Sequence, residues 1–327
     1  MRKSCWIILV IGLIIGGFTV FFAMSGQTQE KPFPSRQIDF VIPYDPGGSI
    51  DLMSRIFVEA IKAPLNVSVV PVNKPGAGGS IGTMFVLNTK PDGYTIGACS
   101  IGSLLISPIV EPKLPYKRSD LTVVCKTINY PMAIFVKADA PWKTLKELAD
   151  YARQNPGKLR ATVGGPTGAP ALLVESFKIQ AGGLNIINIP SKGGASQATA
   201  ILGGHVEICS DPVAAEVSLL KAGRVRALAT SNKVPGFPEI PTFEEAGVPG
   251  VTVSSWAGVI APKALPKPVL DKLVSAFETA SKNPAVIEQL HREAMNADFL
   301  GPDAFLKQLE KEEQMYTEIV RKVGLIK

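Results

Sequence analysis

Histidine and cysteine are scarce, with two and four in 327 residues, too few for a large metal or haem centre. Charged residues are held to 19% against 46% hydrophobic, an ordinary globular balance that excludes disordered, collagenous and disulfide-scaffold classes. Blocks of like charge are also missing. The 34 Lys and Arg and 28 Asp and Glu are scattered, which argues against nucleic acid as a partner. The small positive excess instead favours diffusion of small anions toward the protein, an effect weakened by salt. No apolar stretch beyond the N-terminal region reaches the ~18 residues needed to span a bilayer.

The N-terminus is the exception. Arg2 and Lys3 precede an uncharged run from Cys5 to Gly26, the order of an export signal. Residues 1–25 are read as that signal, with Ala23, Met24 and Ser25 supplying small residues for cleavage near Gly26. The run exceeds the ~7–15 residues of a cleaved signal core, so an uncleaved anchor is the alternative. The rest of the chain is expected in the periplasm, where loss of Arg2 and Lys3 takes the formal charge from +6 to +4. Cys99, Cys125 and Cys209 remain, an odd number without a framework. Buried thiols are expected, and a Cys99–Cys125 disulfide stays open.

From Ile38 onward short apolar runs alternate with amphipathic stretches, separated by Gly- and Pro-rich turns, which is the α/β pattern. Strands are predicted at 39–42, 68–72, 95–99, 133–136, 159–163, 186–189, 207–209, 226–230 and 251–260. Thr144 with Glu147 and Thr242 with Glu245 fit capping boxes that open helices. Asn155-Pro156-Gly157 and Gly247 stop them, and Pro268 and Pro302 suit first-turn positions. Residues 266–327 read as successive helices with no strand among them. About 300 exported residues exceed one typical domain of ~100–200. Two α/β domains are expected, 33–130 with 255–327 and 131–254, with crossings near Asn129-Tyr130-Pro131 and within 251–260.

Four Gly-rich loops each follow a strand and open a helix. They are Pro43-Tyr44-Asp45-Pro46-Gly47-Gly48-Ser49-Ile50-Asp51, Lys74-Pro75-Gly76-Ala77-Gly78-Gly79-Ser80, Gly164-Gly165-Pro166-Thr167-Gly168-Ala169 and Ser191-Lys192-Gly193-Gly194-Ala195-Ser196. A glycine lets a ligand approach the backbone closely, and a helix start adds free amides and a positive dipole end. A single such loop is more often a tight turn. Two in each half, at equivalent positions, point to ligand binding at the carboxyl ends of the strands.

The phosphate-loop pattern is absent. Gly76-Ala77-Gly78 with Gly82 superficially matches a dinucleotide fingerprint, but Pro75 intervenes and no acidic residue follows at the expected distance. No cofactor is expected. Gly78-Gly79-Ser80-Ile81-Gly82 matches a serine-hydrolase elbow, with Asp211 and His291 in permissible order, although residues 73–77 separate it from its strand. His205 lies in a turn and His291 on a polar helical stretch. Lacking a third His or clustered Cys, the chain offers little support for a transition-metal site. The anion that best suits amides, hydroxyls and few fixed cations is a carboxylate.

At these residues the sequence resembles a known family. Pro34-Ser35-Arg36-Gln37-Ile38, the first two glycine loops, Lys90-Pro91-Asp92-Gly93-Tyr94-Thr95, Lys192-Gly193-Gly194, Leu202-Gly203-Gly204-His205-Val206-Glu207 and Trp256-Ala257-Gly258-Val259-Ile260-Ala261-Pro262 occur in order as in the Bug family. These are the substrate-binding proteins of tripartite tricarboxylate transporters. The resemblance implies a periplasmic binding protein of the two-domain flytrap fold, with a helical C-terminal segment. It further implies a non-enzymatic, monomeric receptor that passes its ligand to a membrane permease. The ligand classes implied are di- or tricarboxylates, aromatic acids and acidic amino acids. Carried over by residue, the ligand carboxylate is held by Tyr44, Gly47, Gly48, Ser49 and Asp51 and by Ala77, Gly78 and Gly79. Gly165, Thr167, Gly168, Lys192, Gly193 and Asp211 meet its distal end. Apart from the resemblance, an aromatic at the cleft, Tyr44 or Trp256, is expected to cover the ligand body. Departures from the family pattern are Ala171-Leu172 where His-Leu is common, Asp45 where a small neutral residue is usual, and Ser191 in place of Tyr. An inward Asp45 would favour an amine-bearing ligand, and an outward one would be a solvated loop tip. Asp211-Pro212 reads equally as a helix cap. Alternative readings are an exported hydrolase using Ser80 and a membrane-anchored carboxylate sensor.

Overall fold

The structure is a computed structural model that describes residues 32–111, 113–163, 168–191, 194–251, 253, 255–322 and 326. The proposed export signal lies outside them. Among the described residues, no helix is long and apolar enough to cross a membrane.

The chain opens with β1 (Ile38–Ile42), α1 (Ser49–Leu65), β2 (Val69–Asn73), a 3-10 turn (Ala77–Gly79) running into α2 (Ser80–Leu87), and β3 (Thr95–Ser100). A single π turn (Gly102–Ile106) leads into the short α3 (Ser107–Val110), followed by β4 (Leu121–Tyr130). A second group comprises β5 (Met132–Lys137), α4 (Leu145–Gln154), β6 (Leu159–Val163), α5 (Ala169–Gln180), β7 (Ile186–Pro190), α6 (Gly194–Leu202), β8 (Ile208–Pro212), α7 (Val213–Lys221) and β9 (Val225–Thr230). The chain then returns through β10 (Ser255–Pro262), α8 (Lys267–Ser281), α9 (Pro284–Arg292), β11 (Asn296–Leu300) and α10 (Pro302–Lys322).

These strands make a six-stranded sheet, β11-β4-β10-β3-β1-β2, and a five-stranded sheet, β7-β6-β8-β5-β9. β1 lies parallel between β2 and β3, and β6 lies parallel between β7 and β8. Each sheet therefore has a crevice at the carboxyl ends of its parallel strands, where α/β sheets bind ligands. The two chain crossings are neighbours. Tyr130 at the exit from the first sheet is paired with Ser255 at the re-entry, and Ser231 brackets Met132 through both its backbone amide and its hydroxyl.

Continuous apolar strands mark the cores. All eight residues of β10 are buried, as suits a central strand covered on both faces. Phe277 of α8 packs on Phe40 of β1 and Phe57 of α1, with centroids 6.3 and 6.1 Å away. Trp256 meets Phe305 edge-on at 4.9 Å, and its indole N–H donates to Glu312 at 2.7 Å. It is fully buried, which corrects the expectation that it covers a ligand: its polar tip is committed to α10.

All nine predicted strands exist, within a few residues at their ends; residues 252 and 254 of the ninth are not described. Two strands were not anticipated, β4 and β11. The expectation of a strand-free C-terminal segment is overturned by β11, an edge strand antiparallel to β4. Thr144 caps α4 by accepting from the Glu147 amide, while the Glu147 carboxylate takes the Lys143 amide instead of the cap's own. Thr242 and Glu245 do form the reciprocal pair, but it closes a turn rather than a helix. Pro268 and Pro302 stand in the first turns of α8 and α10.

Cys99, Cys125 and Cys209 are buried free thiols. Cys99 of β3 and Cys125 of β4 are separated by β10, where they face Gly258 and Val259. Two strand spacings of about 4.8 Å exceed the ~7 Å limit for a disulfide, so the open alternative is closed by geometry.

Candidate functional site

The first loop is built around a buried carboxylate. Gly47 takes a left-handed φ of 87°, and Gly48, extended, caps α1 without any side-chain hydrogen bond. Asp51, in the first turn of the helix and only 3% exposed, reaches back to accept from the Gly47 amide at 3.0 Å. It also accepts from Arg55 Nε and Asn73 Nδ2, each at 2.9 Å. Asn73, the last residue of β2, donates in addition to the Tyr44 carbonyl at 3.0 Å. Burial opposes ionisation of Asp51, but the hydrogen bonds from Arg55, Asn73 and Gly47 outweigh it and hold the carboxyl below its ordinary value. The amides of Ser49 and Ile50, first in the helix, have no intrahelical acceptors. Asp45 is exposed at the loop tip.

The second loop leans on the first through Tyr44. Ala77, Gly78 and Gly79 have φ of 47°, 63° and 96°, a left-handed run for which glycine is suited. The Tyr44 hydroxyl donates to the Gly78 carbonyl at 3.0 Å and lies 2.6 Å from Ser100 Oγ. A Cβ on Gly79 would stand 2.7 Å from that hydroxyl, so the glycine is required by close approach. Burial pushes the Tyr44 phenol up to about 12, against the opposing bond from Ser100, so it stays a neutral donor. A third segment joins them. Ser103 Oγ accepts from the Ser100 amide at 3.2 Å, and Tyr116 donates to the Ser103 carbonyl at 2.6 Å. Ser100, Ser103 and Tyr116 were missed by sequence reasoning; the signal was the small-residue cluster Ser100-Ile101-Gly102-Ser103 following a strand.

In the second sheet, Gly165, Thr167, Lys192 and Gly193 lie outside the described residues. Gly168 caps α5 with φ −81°, ψ 163° and no side-chain bond, matching Gly48 at −79°, 168°. Asp211, next to last in β8 and paired with Ala133 of β5, is 5% exposed. Burial, reinforced by Glu216, pushes its carboxyl well above the ordinary range. Ser191 ties the fourth loop to the end of β6 by donating to the Val163 carbonyl at 3.0 Å.

Two sequence motifs serve the scaffold. In Lys90–Tyr94, Asp92 accepts from the Tyr94 amide at 3.0 Å and pairs with Arg36 at 3.3 Å, and Arg36 stacks over the Tyr94 ring at 3.7 Å. In Gly203–Glu207, the His205 amide closes α6 on the Ala200 carbonyl, and Glu207 grips Arg160 at 2.7 Å.

The hydrolase constellation does not form. Ser80 Oγ is buried and has Tyr116 as its partner at 3.3 Å, His291 is exposed on α9, and Asp211 belongs to the other sheet. Ser80→Ala is expected to change stability by no more than about 1 kcal/mol. Ester hydrolysis by the wild type should stay at the buffer rate, and esterase activity abolished by this substitution would overturn that assignment.

Comparison with known proteins fits this architecture. The model of the tripartite tricarboxylate transporter family receptor matches residues 53–325. The solved periplasmic binding protein BugD is 30% identical, with a TM-score of 0.81 over 90% of this chain and 99% of its own. A Rhodopseudomonas palustris protein, Rpa4515 with adipate, is 27% identical, with a TM-score of 0.84 over 89% and 98%. MatC of Rhodopseudomonas palustris with bound malate is 25% identical, with a TM-score of 0.78 over 88% and 100%.

Proposed function

Because the chain belongs to the tripartite tricarboxylate transporter receptor family, we propose that it is a periplasmic receptor that captures a small organic carboxylate. Two domains, 33–130 with 255–327 and 131–254, close over the ligand about the paired crossings at Tyr130 and Ser255, and the closed monomer delivers it to a membrane permease. The observation that carries this reading is the matched pair of uncapped helix starts at Gly48 and Gly168, one in each sheet. Free amides at such starts favour an anion without fixed cations. Gly47, Gly48, Ser49, Ala77, Gly78 and Gly79 would hold one carboxylate, while Tyr44 and Asp51 shape the two loops. Gly165, Thr167, Gly168, Lys192, Gly193 and Asp211 would meet the distal end. The adipate and malate carried by two relatives make linear dicarboxylates the first candidates.

A thermal unfolding panel of mono-, di- and tricarboxylates, aromatic acids and acidic amino acids tests this. A ligand at ~100 times its Kd adds roughly 2.7 kcal/mol. A clear shift with a dicarboxylate is expected, and no shift with any carboxylate would overturn the ligand class.

A further inference from the structure

We propose that Cys209, Asp211 and Glu216 form a buried site for one divalent transition-metal ion of the zinc type. Alternation along β8 puts Cys209 and Asp211 on the same face, and α7 begins immediately after the strand, carrying Glu216 into its first turn. The donor atoms of the three residues lie within 4.8 Å of one another. Their exposures are 0, 5 and 1%.

The second observation is that Asp211 Oδ2 and Glu216 Oε2 are buried without any hydrogen-bond partner. Leaving such groups unmatched is costly, and a shared cation removes the cost for both. Zinc takes thiolate at ~2.3 Å and carboxylate at ~2.0–2.2 Å in a tetrahedron, which sets neighbouring donors about 3.5 Å apart. Cys209 Sγ and Glu216 Oε1 are already 3.9 Å apart, so side-chain adjustment suffices. Gln197, fully buried, donates from Nε2 to Cys209 Sγ at 3.6 Å and to the Ser210 carbonyl at 2.8 Å. That bond orients the sulfur, the service that outer partners give metal ligands. A sulfur donor disfavours magnesium and calcium, which take oxygen ligands. A water, or a second carboxylate oxygen, completes the tetrahedron. The site holds β8 to α7 and shares only Asp211 with the receptor reading; Cys209 and Glu216 have no part in it.

The test uses the purified protein, stripped with a chelator and titrated with Co2+. Stoichiometric binding is expected, with a thiolate-to-cobalt charge-transfer band in the near ultraviolet and visible bands of tetrahedral intensity, both displaced by Zn2+. Cys209→Ser removes the charge-transfer band, whereas Cys125→Ser retains it. Glu216→Gln, which keeps the side-chain volume, lowers affinity at least about tenfold, and far-ultraviolet dichroism confirms that each metal-free variant is folded. The proposal is overturned by a wild-type protein that gives no band at stoichiometric cobalt, as two protonated acids beside a thiol would. It is equally overturned by a band that survives in Cys209→Ser, or by unchanged affinity in folded Glu216→Gln. Carboxylate-induced thermal shifts of the metal-free protein report separately on the receptor reading.

Discussion

Gly82→Ala is expected to destabilise the protein by about 2–3 kcal/mol, although alanine is the better helix former by about 1 kcal/mol. The reason is where the added methyl would land. A Cβ on Gly82 would stand 2.6 and 2.7 Å from Pro43 Cβ and Cα and 2.8 Å from the Lys74 carbonyl. Two of those atoms belong to the backbone of the first and second loops, so the strain cannot be relieved by a rotamer change, and α2 must move away from both. The expected fall in Tm is roughly 4–9 °C, accompanied by weaker carboxylate binding because the two loops part. Gly258→Ala provides the contrast. Its Cβ would meet the Cys125 carbonyl at 2.6 Å and the Phe305 ring at 2.7 Å, in the middle of β10, so it should lower Tm comparably and leave affinity unchanged below the transition. Gly301→Ala, with nothing within 4 Å, should cost under about 1 kcal/mol. Equal affinity losses for Gly82→Ala and Gly258→Ala would show that the loops are not held by the close approach of α2.

The same physics explains what was legible beforehand. Strand 159–163 matches β6 residue for residue, because a short apolar run bounded by Gly and Asn-Pro-Gly has few other solutions. β4 was hidden by Lys126 and Thr127, polar residues in the middle of a buried strand. Lys126 is admissible there only because Asp298 accepts from it at 2.6 Å and Gln308 at 3.2 Å, partners more than 170 residues away in sequence. Asp298 is also the residue that makes β11, Asn-Ala-Asp-Phe-Leu, a poor strand on local preference. One long-range ion pair therefore accounts for both missed strands. At the site, the glycine loops were legible as loops because glycine declares its backbone. Sequence gives no direction for a side chain, so it places Asp51 among the ligand contacts, whereas its bonds run to Gly47, Arg55 and Asn73. The cluster at Cys209 went unforeseen because two of its three donors are acids, which a search for His and Cys spacing does not weigh.

Asp51→Ala should cost about 1–2 kcal/mol, because three hydrogen bonds to the buried carboxylate are lost while water reaches the exposed Gly47 and Arg55 donors and only the half-buried Asn73 amide is left poorly matched. Asp51→Asn distinguishes hydrogen bonding from shape. The amide fills the same volume, yet its NH2 faces either the Gly47 and Arg55 donors that share Oδ2 or the Asn73 donor at Oδ1, so the loss should approach that of Ala. Arg55→Ala should cost no more than about 1 kcal/mol, because the Arg55 side chain is 46% exposed and water replaces the partner. The pH dependence separates these variants. The Asp51 carboxyl is held below its ordinary value in the folded protein, so on acidification the unfolded chain takes up the proton first. The contribution is fully present above the ordinary carboxylate value and is lost as pH falls through the lower folded value. Wild type and Asp51→Asn should therefore differ most at neutral pH and converge in acid, as read by urea midpoints across the acid range. A constant difference at every pH would assign the loss to packing and remove the ionised carboxylate as the anchor of the first loop. Convergence would also fix how the first loop is anchored: Asp51 takes the Gly47 amide, and the helix start at Gly48 and Ser49 beyond it stays open to an anion.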